Sequence, residues 1–213
     1  KLALQLNTII AAPAFKNWLS GVPLDIDSLL FDEAGNPAIT VISLNHLNER
    51  EQHFFVTLLL TEFNAWTRSQ PGTGALRALL YMDELFGFLP PVAEPATKKP
   101  LLSLLKQARA FGVGLTLCTQ NPIDIDYKAL GNAGTWFIGR LQTERDRNRL
   151  LQGLATGGNQ APQELMNRIG SLGKREFLMH NVSQEQPKTF YTRWVMSYLA
   201  GPLTLEQIRQ LPQ

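Results

Sequence analysis

Very little in this sequence declares a chemistry by its abundance. A single cysteine, Cys118, in 213 residues excludes an internal disulfide framework and fits a reducing compartment. The longest apolar run, around Phe54–Leu60, falls far short of the roughly 20 residues that span a bilayer. No signal-peptide pattern opens the chain, and the reading is a cytosolic protein with no membrane segment. A net charge of +2 and a pI near 8.8 are too small to mark a nucleic-acid binder in bulk, so any basic surface has to be local. His46, His53 and His180 are scattered without metal-ligand spacing to Cys118, which argues against a zinc site. A Gly-x-x-x-x-Gly-Lys-Ser/Thr loop is missing too. Pro71-Gly72-Thr73-Gly74 and Thr156-Gly157-Gly158 have the glycines but not the Lys-Ser/Thr that would hold phosphates and magnesium.

What is present reads as an ordinary soluble globular chain, 44% hydrophobic and 18% charged. Its length suits one large domain, or one domain with an appendage. Leu2–Leu19 has helical spacing interrupted by Pro13. Ile26–Phe31 and Ala38–Leu44 flank the turn-forming Asp32–Pro37 and predict a β-hairpin. Glu49 to about Arg68 is again helical in period, ending before Gln70-Pro71-Gly72. Leu76–Glu84 follows, an apolar run that suits a strand buried on both faces and that closes on two carboxylates, Asp83 and Glu84.

Leu85–Pro100, with prolines at 90, 91, 95 and 100, has to be a loop. Leu101–Phe111 is made of good helix formers, with Gly112 as its stop, and Val113–Thr119 is a second buried strand ending in Gln120. A helix between two such strands predicts a parallel βαβ unit. Asp126–Leu130 predicts a helical turn, Thr135–Arg140 a third strand, Glu144–Leu154 and Pro162–Ile169 helices, and Glu176–His180 a strand. Thr189–Leu199 reads as extended and then helical, and Thr204–Leu211 as a helix opened by a capping box at Thr204–Gln207. The order argues for α/β with a largely parallel sheet.

The strand ends carry the chemistry. Neighbouring parallel strands lie about 4.8 Å apart, so residues at their carboxyl ends converge on one ligand. Asp83-Glu84 therefore has the form of a Walker B strand, in which the first acid helps hold Mg²⁺ and the second polarises the water attacking a γ-phosphate. The plainer alternative is a core strand closed by an acidic turn. Gln120 reads either as a partner of that pair or as a solvated strand cap. Arg140, Arg145, Arg147 and Arg149, with Lys98 and Lys99, are the basic concentrations that could contact phosphates, or could form a mixed-charge solvated face beside Glu144 and Asp146. Trp18, Trp66, Trp136 and Phe137 read as core. Asp124 and Asp126 are the only further acids near the second strand end for a two-metal nuclease centre.

Taken together, Tyr81-Met-Asp-Glu-Leu-Phe-Gly-Phe-Leu-Pro-Pro91, Lys106-Gln-Ala-Arg-Ala-Phe-Gly-Val-Gly-Leu-Thr-Leu-Cys-Thr-Gln-Asn-Pro122 and the segment from Asp126 through Asp146 resemble the carboxyl-terminal half of HerA/FtsK-superfamily ATPases, and the HerA-like members most. The firm match runs from about Leu76 to Leu154. The resemblance implies a RecA-like P-loop core, incomplete at its amino-terminal side, in three stretches: a helical and hairpin segment over 1–70, the core with Walker B and sensor strands over 71–155, and an extension over 156–213. It implies ATP and Mg²⁺ as cofactors, a ring of subunits (a hexamer in the full-length protein), translocation along or unwinding of double-stranded DNA, and a nuclease beside it. By residue, Asp83 takes the magnesium-side role, reaching the metal through water, Glu84 the catalytic carboxylate, and Gln120 the sensor. Arg109, with Arg140 second, becomes the arginine that reaches a neighbouring subunit's γ-phosphate. The phosphate loop is expected upstream of Lys1, so the sequence is expected to be part of a longer ATP hydrolase, inactive by itself. The alternative is a non-catalytic module that scaffolds a partner nuclease.

Overall fold

The computed structural model describes residues 23–154, 162–184, 186–196, 201 and 203–210. The expected helix over Leu2–Leu19, with Trp18, and the Thr156–Gly158 loop fall outside them. The chain forms two compact units, divided between Val41 and Ile42.

In the first unit the expected hairpin is replaced by a short helix, α1 (Ile26–Leu30), a turn, and a single bridge from Phe31 to Pro37. Local side chains explain the change. Asp25 caps α1 by accepting from the Ser28 amide at 2.9 Å, and Asp32 accepts from the amides of Ala34 and Asn36. Short polar side chains that satisfy nearby amides favour caps and turns over a ladder. The segment after the bridge stays extended, with Ile39 and Val41 exposed.

The second unit opens with α2 (Glu49–Ser69), fixed at its start by a reciprocal capping box between Asn48 and Glu51. Its buried stripe is Val56, Leu60, Phe63 and Trp66, at helical spacing. After Pro71-Gly72 come β1 (Thr73–Met82), α3 (Lys98–Gln107), a 3₁₀ turn over Ala108–Ala110, and β2 (Phe111–Leu117). β1 and β2 pair in parallel, with Leu80 opposite Leu115 and Met82 opposite Leu117. The expected βαβ unit is there. Leu101 and Leu104 of α3 are fully buried, and Ala78 of β1 and Val113 of β2 are buried beside them in the core.

Two expectations about these strands fail. Gly112 does not stop the helix but lies inside β2 at φ 73°, where a Cβ would run into the Ala75 carbonyl oxygen. Only glycine fits so close a crossing of two backbones. β1 is also not buried on both faces: Leu76, Leu79 and Tyr81 are 69%, 55% and 58% exposed. Its sheet has two strands among the described residues, so one face and one edge of β1 meet no protein layer.

Past β2 the chain makes a 3₁₀ turn at Pro122–Asp124 and the short α4 (Tyr127–Leu130), then β3 (Thr135–Ile138), α5 (Glu144–Leu154), α6 (Pro162–Ser171), β4 (Glu176–Asn181), β5 (Lys188–Tyr191) and α7 (Leu205–Arg209). α7 has the expected capping box, with the Gln207 amide donating to Thr204 Oγ1 and the Thr204 amide to Gln207 Oε1. The third strand does not extend the parallel sheet. β3 pairs antiparallel with β4, and β4 with β5, in a separate three-stranded sheet. The cause is local: β4 and β5 form a hairpin, and Ile138 and Leu178 pack with Leu150, Leu165, Ile169 and Leu172 into their own core. Trp136 lines that core, whereas Phe137, expected inside, points outward and is 67% exposed. The architecture is α/β, with one parallel and one antiparallel sheet.

Candidate active site at two strand ends

The ladder between β1 and β2 continues beyond the strands. The Cys118 amide donates to Met82 O at 2.9 Å and the Leu85 amide to Cys118 O at 3.1 Å. These two bonds keep Asp83-Glu84 level with Thr119-Gln120. At that level Gln120 Nε2 donates to Glu84 Oε2 at 2.7 Å, a short bond to a charged acceptor. Glu84 stands at φ 51°, in the left-handed region that a non-glycine residue enters at a cost of about 1–2 kcal/mol. Its own amide donates to Asp83 Oδ1 at 3.0 Å. Sharp turns of this kind at a strand's carboxyl end accumulate at functional sites. Asp83, Glu84 and Gln120 are all exposed, so the pair of acids faces solvent with hard oxygen donors of the kind Mg²⁺ takes.

One further group was not singled out by the sequence reading. Cys118 Sγ and the Tyr81 hydroxyl are hydrogen-bonded at 3.4 Å, and that contact, with the negative charge of nearby Asp83, pushes the Tyr81 phenol up to about 12. Tyr81 and Cys118 sit just before the acids and the glutamine on their strands. Their signal was the alternation of β1 and β2 itself.

The loop after Glu84 is pinned rather than loose. Leu85 and Leu89 are buried, Thr97 Oγ1 donates to Phe88 O at 2.8 Å, and the Asp126 amide donates to Leu89 O at 2.9 Å. Lys98, read from the sequence as a phosphate contact, is 2% exposed at the centre of this arrangement. Its Nζ lies 2.8 Å from Asp126 Oδ2, 3.0 Å from Glu94 Oε1 and 3.2 Å from Ala93 O. Burial is the largest single effect and disfavours both charges, but the hydrogen bonds and charge attraction of the pair, joined by Glu94 on Lys98 and by the Lys128 amide on Asp126, together outweigh it, raising Lys98 above and holding Asp126 below its ordinary value. The ion pair ties the loop following β1 to the loop following β2. Asp126 is thereby engaged as a structural acid and as the cap of α4, where it accepts from Lys128, which removes it from the nuclease reading.

The arginines scatter. Arg109 is exposed on the 3₁₀ turn and Arg140 is exposed after β3; neither side chain makes a hydrogen bond or ion pair among the described residues. Arg147 donates to Leu141 O and Gln142 O, and Arg149 Nη2 donates to Ile125 O at 3.0 Å. Thus the structure brings Asp83, Glu84 and Gln120 together and leaves Arg109 and Arg140 apart from them. Among the described residues no group of three or more His, Cys, Asp and Glu side chains is placed to hold a metal, and no helix is long and apolar enough to cross a membrane.

A parallel β-α-β unit with acids and an amide at adjacent strand ends is the arrangement of a P-loop NTPase sheet, and comparison with solved structures bears out that fold. The chain superposes on B204, the DNA-packaging ATPase of Sulfolobus turreted icosahedral virus, with TM-score 0.54 at 14% identity over 87% of this chain and 78% of that one. It also superposes on the genome-packaging NTPase B204 of Sulfolobus turreted icosahedral virus 2 in complex with AMPPCP, with TM-score 0.50 at 16% identity over 68% of this chain and 63% of that one. In sequence it is 29% identical over 98 residues to the DNA double-strand break repair helicase HerA of Pyrococcus furiosus. That alignment spans 46% of this chain and 17% of HerA. No family model matches the sequence. The resemblance to HerA/FtsK-type ATPases read from the motifs is thus met again in sequence and in fold.

Proposed function

We propose that this chain is the strand-end half of an ATP-hydrolysing motor of HerA type, acting on double-stranded DNA. The observation that carries the reading is the 2.7 Å bond from Gln120 to Glu84, made between the tips of two adjacent parallel strands. An acidic turn that merely closed a strand would need neither a strained glutamate nor an amide aimed at it. In this reading Glu84 accepts the proton of the attacking water, and Gln120 fixes the carboxylate's orientation and lends a donor to the reacting oxygen. Asp83 holds the metal side, and Mg²⁺, when bound, offsets the charge of the phosphates. Arg109, or Arg140 in its place, supplies a guanidinium across a subunit boundary in a ring such as a hexamer, which accords with both side chains being exposed and making no ion pair among the described residues. The stretch 71–155 carries this machinery in a cytosolic enzyme, and a nuclease is its natural companion.

The test uses the intact ATPase that contains this chain together with its phosphate loop. Glu84→Gln should keep nucleotide affinity within about threefold while lowering turnover by at least 10²-fold, within the range for loss of a general base. Hydrolysis at the parental rate in Glu84→Gln would remove Glu84 from the mechanism and this reading with it.

A further inference from the structure

Beside the two strand ends lies a cleft of about 700 Å³ that no role above uses, lined by Pro91, Ile123, Glu144, Arg145, Asn148 and Arg149. Its floor is one face of α5: Arg145, Asn148 and Arg149 stand at i, i+3 and i+4, and such residues point the same way. Its walls are the two loops that follow the site strands, Pro91 from the loop after Glu84 and Ile123 from the turn after Gln120. Those loops are held together by the buried Lys98–Asp126 pair, so the walls are fixed relative to each other.

The donors are unequal in a telling way. Arg149 is anchored, with Nη2 on Ile125 O at 3.0 Å, which sets the plane of its guanidinium. Arg147, between them in sequence, turns away to Leu141 O and Gln142 O and serves the fold. Arg145 is exposed and makes no hydrogen bond or ion pair among the described residues. It also occupies the first turn of α5, where the helix dipole disfavours a cation. Glu144 is the single acid of the lining, against two guanidinium groups. The cleft thus presents the Arg145 guanidinium and the Asn148 amide to open space, with Arg149 beside them held on Ile125 O.

We propose that this cleft seats a phosphate of a nucleic-acid backbone. Arg145 grips its oxygens, Asn148 adds a neutral donor, the anchored Arg149 adds positive charge, and Pro91 and Ile123 bound the strand's path. Guanidinium forks match phosphate oxygens, and contacts of this kind position a polymer without reading its sequence. That the polymer is DNA rests on the function proposed above; that the ligand is a phosphate rests on the cleft. Each of its walls belongs to the loop leaving one of the two site strands.

Fluorescence anisotropy of a labelled duplex with this chain, titrated between 50 and 200 mM salt, tests the proposal. Arg145→Ala should weaken binding roughly tenfold for two unrelated sequences and reduce the slope of log K against log salt by about 1. Arg50→Ala, an exposed arginine elsewhere, should bind like the parent chain, so a defect confined to Arg145→Ala is separable from failure of the hydrolysis reading. Circular dichroism melting of each variant shows that it is folded. An Arg145→Ala curve and slope matching those of Arg50→Ala would overturn the seat, as would absence of duplex binding by the parent chain at 50 mM salt. A second arm separates the sources of phosphate. The duplex should shield the cleft arginines from phenylglyoxal better than inorganic phosphate or Mg-ATP at equal phosphate concentration; the reverse order would overturn the assignment to a polynucleotide.

Discussion

At the scale of single residues, the backbone of Glu84 is as informative as its carboxylate. It combines a left-handed φ of 51° with a side-chain bond to the next strand, and no neighbouring glycine relieves the turn. The strain and the contact can be separated by substitution. Glu84→Ala loses the bond and keeps the strain, whereas Glu84→Gly loses both. Glu84→Gly should therefore be more stable than Glu84→Ala by about 1 kcal/mol in urea unfolding. Equal stabilities would mean that the turn relaxes in solution. The acids and Gln120 were legible in the sequence because each ends an apolar run. The strained φ was not, since glutamate carries no mark of it. Lys98 was misread for a related reason: a lysine beside Lys99 and a proline looks like surface, and its partner Asp126 lies 28 positions away.

At the scale of elements, that lysine sets how the two site loops respond to pH and to mutation. Asp126 has a folded-state value below its unfolded one, so its stabilisation is present above about pH 4 and disappears as pH falls through the folded value. Lys98 is raised, so its share is complete below about pH 10.4 and is lost as pH climbs through its folded value. Urea unfolding should show the chain losing stability as pH falls below about 4, with a smaller loss in Asp126→Asn. At pH 7, Lys98→Met should cost about 3 kcal/mol by leaving Asp126 buried and unpaired. A pH profile for Asp126→Asn parallel to that of the parent chain would show that the pair does not govern acid stability. Elements with a strong local signal, namely α2, α5, α6 and the capped α7, stand where periodicity and capping residues put them. Pairing was harder to read. Whether β3 joins β2 or β4 depends on contacts more than 40 residues apart, and the apolar pattern of four residues serves either sheet. The hairpin over 26–44 failed because Asp25 and Asp32 satisfy local amides that a ladder would have used.

At the scale of the whole molecule, the chain holds the acids and the amide of the nucleotide site proposed above, and its sequence holds no phosphate loop of the Gly-x-x-x-x-Gly-Lys-Ser/Thr kind. That loop's backbone amides provide most of the grip on a nucleotide. Titration calorimetry of this chain with Mg-ATP should accordingly register no binding at micromolar concentration, and a submicromolar dissociation constant would show that other groups do the gripping. The bare side of β1 has a separate consequence, for handling rather than for catalysis. Leu76, Leu79 and Tyr81 lie beside a row of backbone donors and acceptors that no described strand engages. Such an edge invites any extended peptide to add itself, another molecule of the same protein included. In concentrated stocks the stretch that delivers the two carboxylates is therefore also the stretch from which fibrous precipitate would grow, and a charged side chain in place of Leu79 is the natural gatekeeper against it.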